Sequence, residues 1–171
     1  MPSITNINYS FMPLSASVLS RLQYQHDSIT ELIADLREDQ LKERPNPGKW
    51  SAFENIVHLA AYQPTFIKRL HMMAAGNEPT FQRYIADNDP LFDDYLKKSI
   101  SELQSDTTEK RSFIYNHLSH LSDAQLDLKG RHPVYGLIRV SGWADFFLLH
   151  EGHHLWTIFQ LTSQLRVSSQ R

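Results

Sequence analysis

The amino-acid sequence predicts an all-α protein, a four-helix bundle, on three observations. Apolar residues recur at spacings of three and four over four long segments, which is typical of amphipathic helices. Only six glycines occur in 171 residues, which argues against an all-β chain with many tight turns. Turn-forming clusters and two longer connections, between helices two and three and between helices three and four, separate the segments. Four such helices bury their apolar faces best as a bundle.

Length and composition predict one domain over residues 1–171, with a core from about residue 15 to residue 165. Hydrophobic residues make up 41% of the chain, enough for a full core. A net charge of −2 with mixed signs gives no electrostatic basis for nucleic-acid binding. The chain has no cysteine, no signal-peptide pattern and no apolar run of about 20 residues. We therefore expect a cytoplasmic protein that does not insert into a membrane.

The first helix is predicted from Ser15 to about Leu36, after an irregular lead-in over residues 1–14. Its apolar row follows helical spacing and includes His26. A histidine in such a row is either a core residue with satisfied hydrogen bonds or one wall of a functional site. Both interpretations of His26 stay open at this point.

The second helix is predicted to follow Ser51 and to end near Ala75. Ser51 and Glu54 have the spacing of a capping box, and Pro64 is expected to kink the helix. One side of this helix carries a polar stripe: Glu54, His58, Tyr62, Thr65 and Arg69. The stripe either faces solvent or lines an internal pocket, and in the second case His58 is a candidate metal ligand.

The third helix is predicted from about Leu91 to Leu118, after a connection over residues 77–90. Residues 119–139 are expected to be mostly loop, because Pro133 and Gly136 interrupt any helical pattern. Residues 134–140 could include a short extended piece. This part of the chain offers no candidate site residue.

The fourth helix is predicted from its N-cap Ser141 to about Leu165, and it carries the strongest functional signal. His150 and His154 lie one turn apart and about 40° apart around the axis, on a face rich in large apolar residues. Burying both leaves four ring nitrogens in need of partners, and each orphan costs about 1–3 kcal/mol. The pair is therefore either hydrogen-bonded in the core or bound to a shared metal ion.

Other residues of the fourth helix receive separate predictions. His153 lies at the edge of the histidine face and is left out of the ligand set. Glu151 points off that face and is expected to be a surface charge, with a role as hydrogen-bond acceptor for a metal ligand as the alternative. The back of the helix is expected to meet another helix or a partner subunit through Leu148, Gly152, Leu155 and Phe159.

Two motifs resemble the DinB-like superfamily. The first is Pro47-x-x-Trp-Ser-x-x-Glu-x-x-x-His58, which is similar to the start of that family's second helix. The second runs from Trp143 through His150-Glu-Gly-His-His154 and is similar to its last helix. The likeness covers about residues 15–165. It implies a four-helix bundle, often a homodimer, whose three metal ligands correspond to His58, His150 and His154.

The resemblance also implies a function. Relatives of known activity include thiol S-transferases that use bacillithiol or mycothiol, so we expect a metal-dependent enzyme such as a small-thiol S-transferase or a hydrolase. Three neutral imidazoles leave open positions on a divalent ion, with zinc or nickel favoured and iron or manganese as alternatives. No catalytic residue is identified. Residues predicted to line the pocket or support the ligands are Glu54, Tyr62, Arg69 and His26.

Each of these supporting residues has a less specific explanation, such as a helix cap or a surface charge. Arg69 would suit an anionic substrate or the carboxylate of a thiol. Two alternatives to the enzyme remain: a non-catalytic metal-binding dimer in stress or sensing, and a structural bundle whose histidines are core residues. The substrate, the physiological metal and the dimer geometry are not determined by the sequence.

Overall fold

The computed structural model describes residues 14–168, which are mainly helical. Its α-helices within this range are α1 (Ala16–Tyr24), α2 (Ser28–Ile33), α3 (Glu38–Leu41), α4 (Ala52–Ala74), α5 (Pro90–Tyr95), α6 (Ile100–Ser119), α7 (Asp123–Leu126) and α8 (Val140–Ser168). Two short strands, β1 (Lys129–His132) and β2 (Gly136–Arg139), form an antiparallel hairpin before α8. Between residues 14 and 168, no helix is long and apolar enough to cross a membrane. The predicted lead-in lies almost entirely outside the described residues.

The predicted four-helix bundle is confirmed, with α1 and α2 together forming its first helix and α4, α6 and α8 the others. Helix α4 packs against both α6 and α8, α1 packs against α6, and α2 packs against α8. Trp143, Phe66 and Leu103 are fully buried between these helices. The chain between α4 and α6 contains α5, and the chain between α6 and α8 contains α7 and the hairpin.

The first and third predicted helices are each divided, so their predicted continuity is wrong. A 3-10 turn over Gln25–Asp27 separates α1 from α2, and there Gln25 donates hydrogen bonds to α8. Residues 96–99 separate α5 from α6, because Ser99 and Glu102 form a capping box that begins a new helix. The apolar spacing continues through both breaks. Tertiary contacts of Gln25 interrupt the first helix, and the capping box at Ser99 interrupts the third.

Helices α4 and α8 carry the predicted histidines, and their boundaries are close to the predicted ones. Ser51 and Glu54 form the predicted capping box, and α4 continues through Pro64. The predicted N-cap at Ser141 is wrong, because β2 leads directly into α8 at Val140. Trp143 ties α8 to the hairpin, since its indole N–H donates to the Gly130 carbonyl at 3.2 Å.

The hairpin is also fixed to the connection that follows α4. The Arg131 amide donates to the Pro79 carbonyl at 2.8 Å, and the Phe81 amide donates to the Arg131 carbonyl at 3.0 Å. Gly130 is required here, because a Cβ at this position would lie 2.5 Å from the Phe81 ring. These contacts hold residues 81–84 and the hairpin beside the first half of α8.

The surface charge predicted at Glu151 is wrong. Glu151 is only 2% exposed and forms an ion pair with Arg111 of α6, which is 1% exposed. The Gln25 amide donates to the same carboxylate at 3.0 Å and to the Leu148 carbonyl at 2.9 Å. The Arg111 guanidinium also lies 4.5 Å from the centre of the Phe147 ring. This buried polar cluster joins the 3-10 turn after α1 to α6 and α8.

The predicted back face of α8 divides into two parts. Leu148 is completely buried, so this position meets neighbouring helices as expected. Phe159 is 44% exposed and its ring stacks on that of the more exposed Trp156, and Leu149, two turns before Trp156, is exposed as well. A Cβ at Gly152 would meet nothing within 4 Å, which leaves open space at the middle of this surface.

His26 gives the fold a predicted dependence on pH. It is 7% exposed, and neither ring nitrogen has a hydrogen-bond partner among residues 14–168. Burial is the largest cause that lowers its pKa to about 4, and the nearby Arg111 charge is the second. The neutral ring is therefore preferred in the folded state. The contribution of the neutral His26 ring to the free energy of unfolding is fully present above pH 6.5, and it is lost as the pH falls towards 4.

We expect the replacement His26→Leu to reduce this pH dependence. Between pH 7 and pH 5, the metal-free wild type should lose about 1–2 kcal/mol more unfolding free energy than the variant. Urea denaturation of both proteins at the two pH values measures the difference. Equal losses in the two proteins would show that His26 does not stay neutral in the fold.

Candidate metal centre

Three histidines from two helices meet between α4 and α8. His58 comes from α4, and His150 and His154 come from consecutive turns of α8. One ring nitrogen of each lies within 4.8 Å of the other two. The Nε2 atoms of His58 and His150 are 3.0 Å apart. The structure thus brings together the three side chains that the sequence singled out as candidate ligands.

Aromatic rings hold the three imidazoles in place. The Trp50 ring centre lies 5.1 Å from that of His58 and 6.3 Å from that of His154. The Tyr62 ring centre is 5.0 Å from that of His150. His58 is 4% exposed, whereas the two histidines of α8 are half-buried and reach a cavity. The cluster is thereby shielded on the side of the core and accessible on the other.

Asn55 sets the protonation pattern of His154. The Asn55 amide nitrogen donates to the Ser51 carbonyl at 2.8 Å, so its oxygen faces His154 Nδ1, also at 2.8 Å. Because that oxygen only accepts, His154 Nδ1 carries the hydrogen. In the neutral ring, Nε2 then presents a lone pair, which is the form that binds a metal. Asn55 therefore has the role that was predicted for a glutamate.

Burial keeps all three rings uncharged. Burial is the largest cause that lowers the pKa of His58 to about 3, of His150 to about 4 and of His154 to about 2. Neighbouring imidazoles lower each value further, since two cations so close together would repel. At neutral pH the cluster consists of neutral nitrogen donors, as metal binding requires.

The donor set fits a divalent ion. Nitrogens bound to one tetrahedral zinc at about 2.0–2.1 Å lie roughly 3.4 Å apart. The observed spacing, from 3.0 Å to at most 4.8 Å, brackets this value. Three neutral imidazoles leave at least one position for water or substrate, which is the arrangement of catalytic rather than structural sites.

A cavity of about 480 Å³ opens above the histidines, within the usual range for small-molecule sites. Tyr62 and Arg69 line it, as predicted. Phe146, one turn before His150 on α8, also lines it. Other walls come from segments for which the sequence suggested no site residue: Arg83, Tyr84, His132 and Tyr135. No local pattern marks these residues, because the hairpin and the connection after α4 reach the cavity only through tertiary contacts.

Two predicted pocket residues lie elsewhere. Glu54 caps α4, accepting a hydrogen bond from the Ser51 amide at 2.8 Å, and it pairs with Arg44. His26 lies in the 3-10 turn near Arg111 and does not line the cavity. His153 is exposed and lines a separate cavity of about 470 Å³, on the other side of Trp50.

Fold and site together define a class of protein: a four-helix bundle with a three-histidine cluster between its second and last long helices. Residues 21–158 match the DinB superfamily, and the chain therefore belongs to that superfamily. No functionally curated protein matches the chain.

Two solved structures are similar to this one. YfiT from Bacillus subtilis is described as a probable metal-dependent hydrolase with an unusual four-helix bundle topology. It aligns with a TM-score of 0.75 and 18% sequence identity, over 87% of this chain and 86% of its own. TT2238, described as a four-helix bundle protein, aligns with a TM-score of 0.60 and 18% identity, over 83% and 95% of the two chains. Both support the bundle fold.

The orientation of His154 by Asn55 can be tested directly. Because hydrogen-bond acceptors behind metal ligands typically contribute 10–100-fold in affinity, Asn55→Leu should weaken zinc binding by about that factor. Gln63→Leu is the matched control, since Gln63 is another buried amide of α4 that does not line the cavity. Zinc titration against a competing chelator measures both. Unchanged affinity in Asn55→Leu would contradict the assignment.

Proposed function

We propose that this protein is a metal-dependent enzyme that binds one divalent ion through His58, His150 and His154. The observation that carries the proposal is the convergence of three neutral imidazoles on the floor of a small-molecule cavity. A structural metal site would be closed by a fourth protein ligand, but among the described residues only these three form a metal-binding group. Zinc or nickel is the preferred ion, with iron or manganese as alternatives.

A divalent ion at this site supplies Lewis acidity that lowers the pKa of a bound water towards about 7 or stabilises a bound thiolate. The chain provides the surroundings that such chemistry needs. Asn55 orients His154, and Trp50 shields two of the imidazoles from solvent. The open side of the cavity leaves access for a substrate of small size.

The proposed reaction class is hydrolysis or transfer of a small thiol to an electrophile. The description of YfiT as a probable metal-dependent hydrolase favours hydrolysis. Thiol transfer stays in the proposal with an external thiol as the nucleophile, because the chain has no cysteine of its own. Both classes use the same site and differ in the nucleophile.

A panel assay tests the proposal. Metal-free protein is loaded with zinc or nickel and assayed for hydrolysis of 4-nitrophenyl acetate and for transfer of cysteine or glutathione to 1-chloro-2,4-dinitrobenzene. Turnover that requires the metal and is lost in His58→Ala supports the enzyme and selects its class. Stoichiometric metal binding without any turnover would favour a non-catalytic metal-binding protein.

We also propose a homodimer that uses the exposed apolar side of α8. Leu149 is 65% exposed and Trp156 is 58% exposed, and next to them Gly152 leaves room for a close approach. Sedimentation velocity at micromolar concentration should show a dimer that Trp156→Ser weakens. Val134→Ser, at a similarly exposed position of the hairpin, is the control. A monomeric wild type would contradict the dimer.

A further inference from the structure

Arg69 is a buried cation without a carboxylate partner. Its side chain is 7% exposed, and among residues 14–168 it forms no ion pair. It is held by hydrogen bonds to the Tyr62 hydroxyl and the Gln82 carbonyl, both at 3.0 Å. Burying a charge without a counter-charge is costly, and such groups are usually paired. Arg111, the other buried arginine among residues 14–168, is paired with the Glu151 carboxylate.

The aromatic rings around Arg69 hold it firmly but do not neutralise it. Its guanidinium carbon lies 5.2 Å from the Phe81 ring centre, 5.4 Å from that of Trp143 and 5.8 Å from that of Tyr62. Such contacts offset part of the desolvation cost and fix the plane of the group. The charge is therefore pre-organised at one wall of the three-histidine cavity, which Arg69 lines.

The side of the cavity around Arg69 favours a negative ligand. On the Tyr84 side the Asp89 carboxylate lies nearby and, after burial, is the next cause that raises the pKa of Tyr84. None of the described residues that line it is an aspartate or glutamate, whereas Arg83 adds a second positive charge at its exposed edge. The charge of Arg69 also acts across the cavity. After burial, it is the next cause that lowers the pKa of His132 on the hairpin. Positive potential in a partly enclosed cleft concentrates small anions.

Tyr62 adds a directed hydrogen-bond donor. An arginine can only donate, so in the bond between these residues the Tyr62 hydroxyl is the acceptor. No described residue accepts the hydroxyl hydrogen in turn, although Tyr62 is only 3% exposed. The hydrogen is thus available to a ligand in the cavity that Tyr62 lines. Tyr62 also lies next to His150, with ring centres 5.0 Å apart, and so connects Arg69 to the candidate metal centre.

We propose that Arg69 and the Tyr62 hydroxyl form a subsite for the carboxylate of a small organic substrate. The role of this subsite in catalysis rests on the proposed function as a metal-dependent enzyme. The carboxylate is held beside Arg69, and the reacting part of the molecule extends past the Tyr62 ring to the three histidines. The subsite itself belongs to the protein and binds a carboxylate whether or not a metal is present.

Calorimetric titration of the metal-free protein at pH 7.5 and low salt tests the subsite. The probes are benzoate and benzamide, which have similar shape and differ in charge. Wild type should bind benzoate about ten-fold or more tightly than benzamide, and Arg69→Gln should remove this preference. Lys68→Gln removes the same charge from an exposed neighbour on α4 and should leave the benzoate affinity unchanged. Inorganic phosphate, as a third probe, separates carboxylate binding from attraction of any anion.

Two further variants keep the proposal testable if Arg69→Gln does not fold. Tyr62→Phe keeps the packing and removes only the hydroxyl, so benzoate affinity should fall by about three- to ten-fold. Gln63→Leu, at a buried position of α4 that does not line the cavity, should keep the wild-type affinity for benzoate. Equal affinity of wild type for benzoate and benzamide would overturn the proposal. So would a benzoate affinity that Arg69→Gln and Tyr62→Phe both leave unchanged.

The metal-free measurement separates this proposal from the proposed function. If the protein never binds a metal but binds benzoate through Arg69, the enzyme proposal fails and the subsite stands. If metal binding is stoichiometric and the protein binds benzoate no more tightly than benzamide, the subsite fails and the metal centre stands.

Discussion

Replacing His154 with alanine is expected to weaken zinc binding by more than about 100-fold. Loss of only the hydrogen-bond acceptor behind a metal ligand typically lowers metal affinity by 10–100-fold. The loss expected for His154→Ala is larger, because the coordinating nitrogen itself is removed. His154 is the candidate ligand whose Nε2 lone pair is fixed by a neighbour, since Asn55 holds the hydrogen on Nδ1. Competition with a chromophoric chelator at pH 7.5 measures the zinc affinity of the wild type and the variant.

His153→Ala provides the matched control for this prediction. His153 is the adjacent histidine on the same helix, but it is exposed and lies outside the three-histidine group. Its removal should leave zinc affinity within about two-fold of wild type, because a surface side chain away from the site contributes little. Equal effects of the two substitutions would mean that zinc binds at some other surface site.

The second large effect is expected in stability, at the buried ion pair of Arg111 and Glu151. Glu151→Leu leaves the Arg111 charge inside the bundle without a partner, and breaking such pairs costs about 3–5 kcal/mol. Burial, partly opposed by the charge of Asp27, lowers the pKa of Arg111 to about 9, so the guanidinium remains charged at neutral pH. Urea denaturation at pH 7.5 should show a loss of this size in unfolding free energy.

A double replacement distinguishes the pair from simple packing. Arg111→Met/Glu151→Leu removes both charges and keeps similar volume, so it should recover most of the loss caused by Glu151→Leu. Glu109→Leu, at an exposed position of α6, serves as the control and should change stability by about 0.5 kcal/mol or less. A double variant no more stable than Glu151→Leu would contradict the role of the ion pair.

The parts of the structure that the sequence predicted are those determined by local pattern. The i, i+4 spacing places His150 and His154 on one side of α8. The capping box at Ser51 determines where α4 begins and therefore how far along it His58 lies. Packing of α4 against α8 is the natural result of burying their apolar faces, and it brings the three histidines together.

The residues that sequence reasoning missed or misplaced depend on contacts between distant parts of the chain. From the sequence, Glu151 was predicted to be a surface charge, because its partner Arg111 lies forty residues earlier in the chain. Tyr84 and His132 reach the cavity because the hairpin pairs with the connection after α4. Asn55 follows Glu54 directly, and only the helix geometry shows that the amide rather than the carboxylate reaches His154.

Arg69 lies between these two cases. Its place on the same stripe of α4 as His58 and Tyr62 is evident from helical spacing, and this suggested a pocket residue. The sequence left open whether the arginine was exposed. Burial among three aromatic rings, without a carboxylate partner in the described part of the chain, is what gives Arg69 its specific role in binding an anion.

Metal content tests the central claim most directly. Untagged wild-type protein and the variant His58→Ala/His154→Ala are purified together, reloaded with zinc and nickel, dialysed and measured by plasma mass spectrometry. The three-histidine centre predicts close to one divalent ion per chain in the wild type and a loss of nearly all of it in the variant. No metal in either protein, or equal metal in both, would contradict the centre and make the three histidines ordinary core residues.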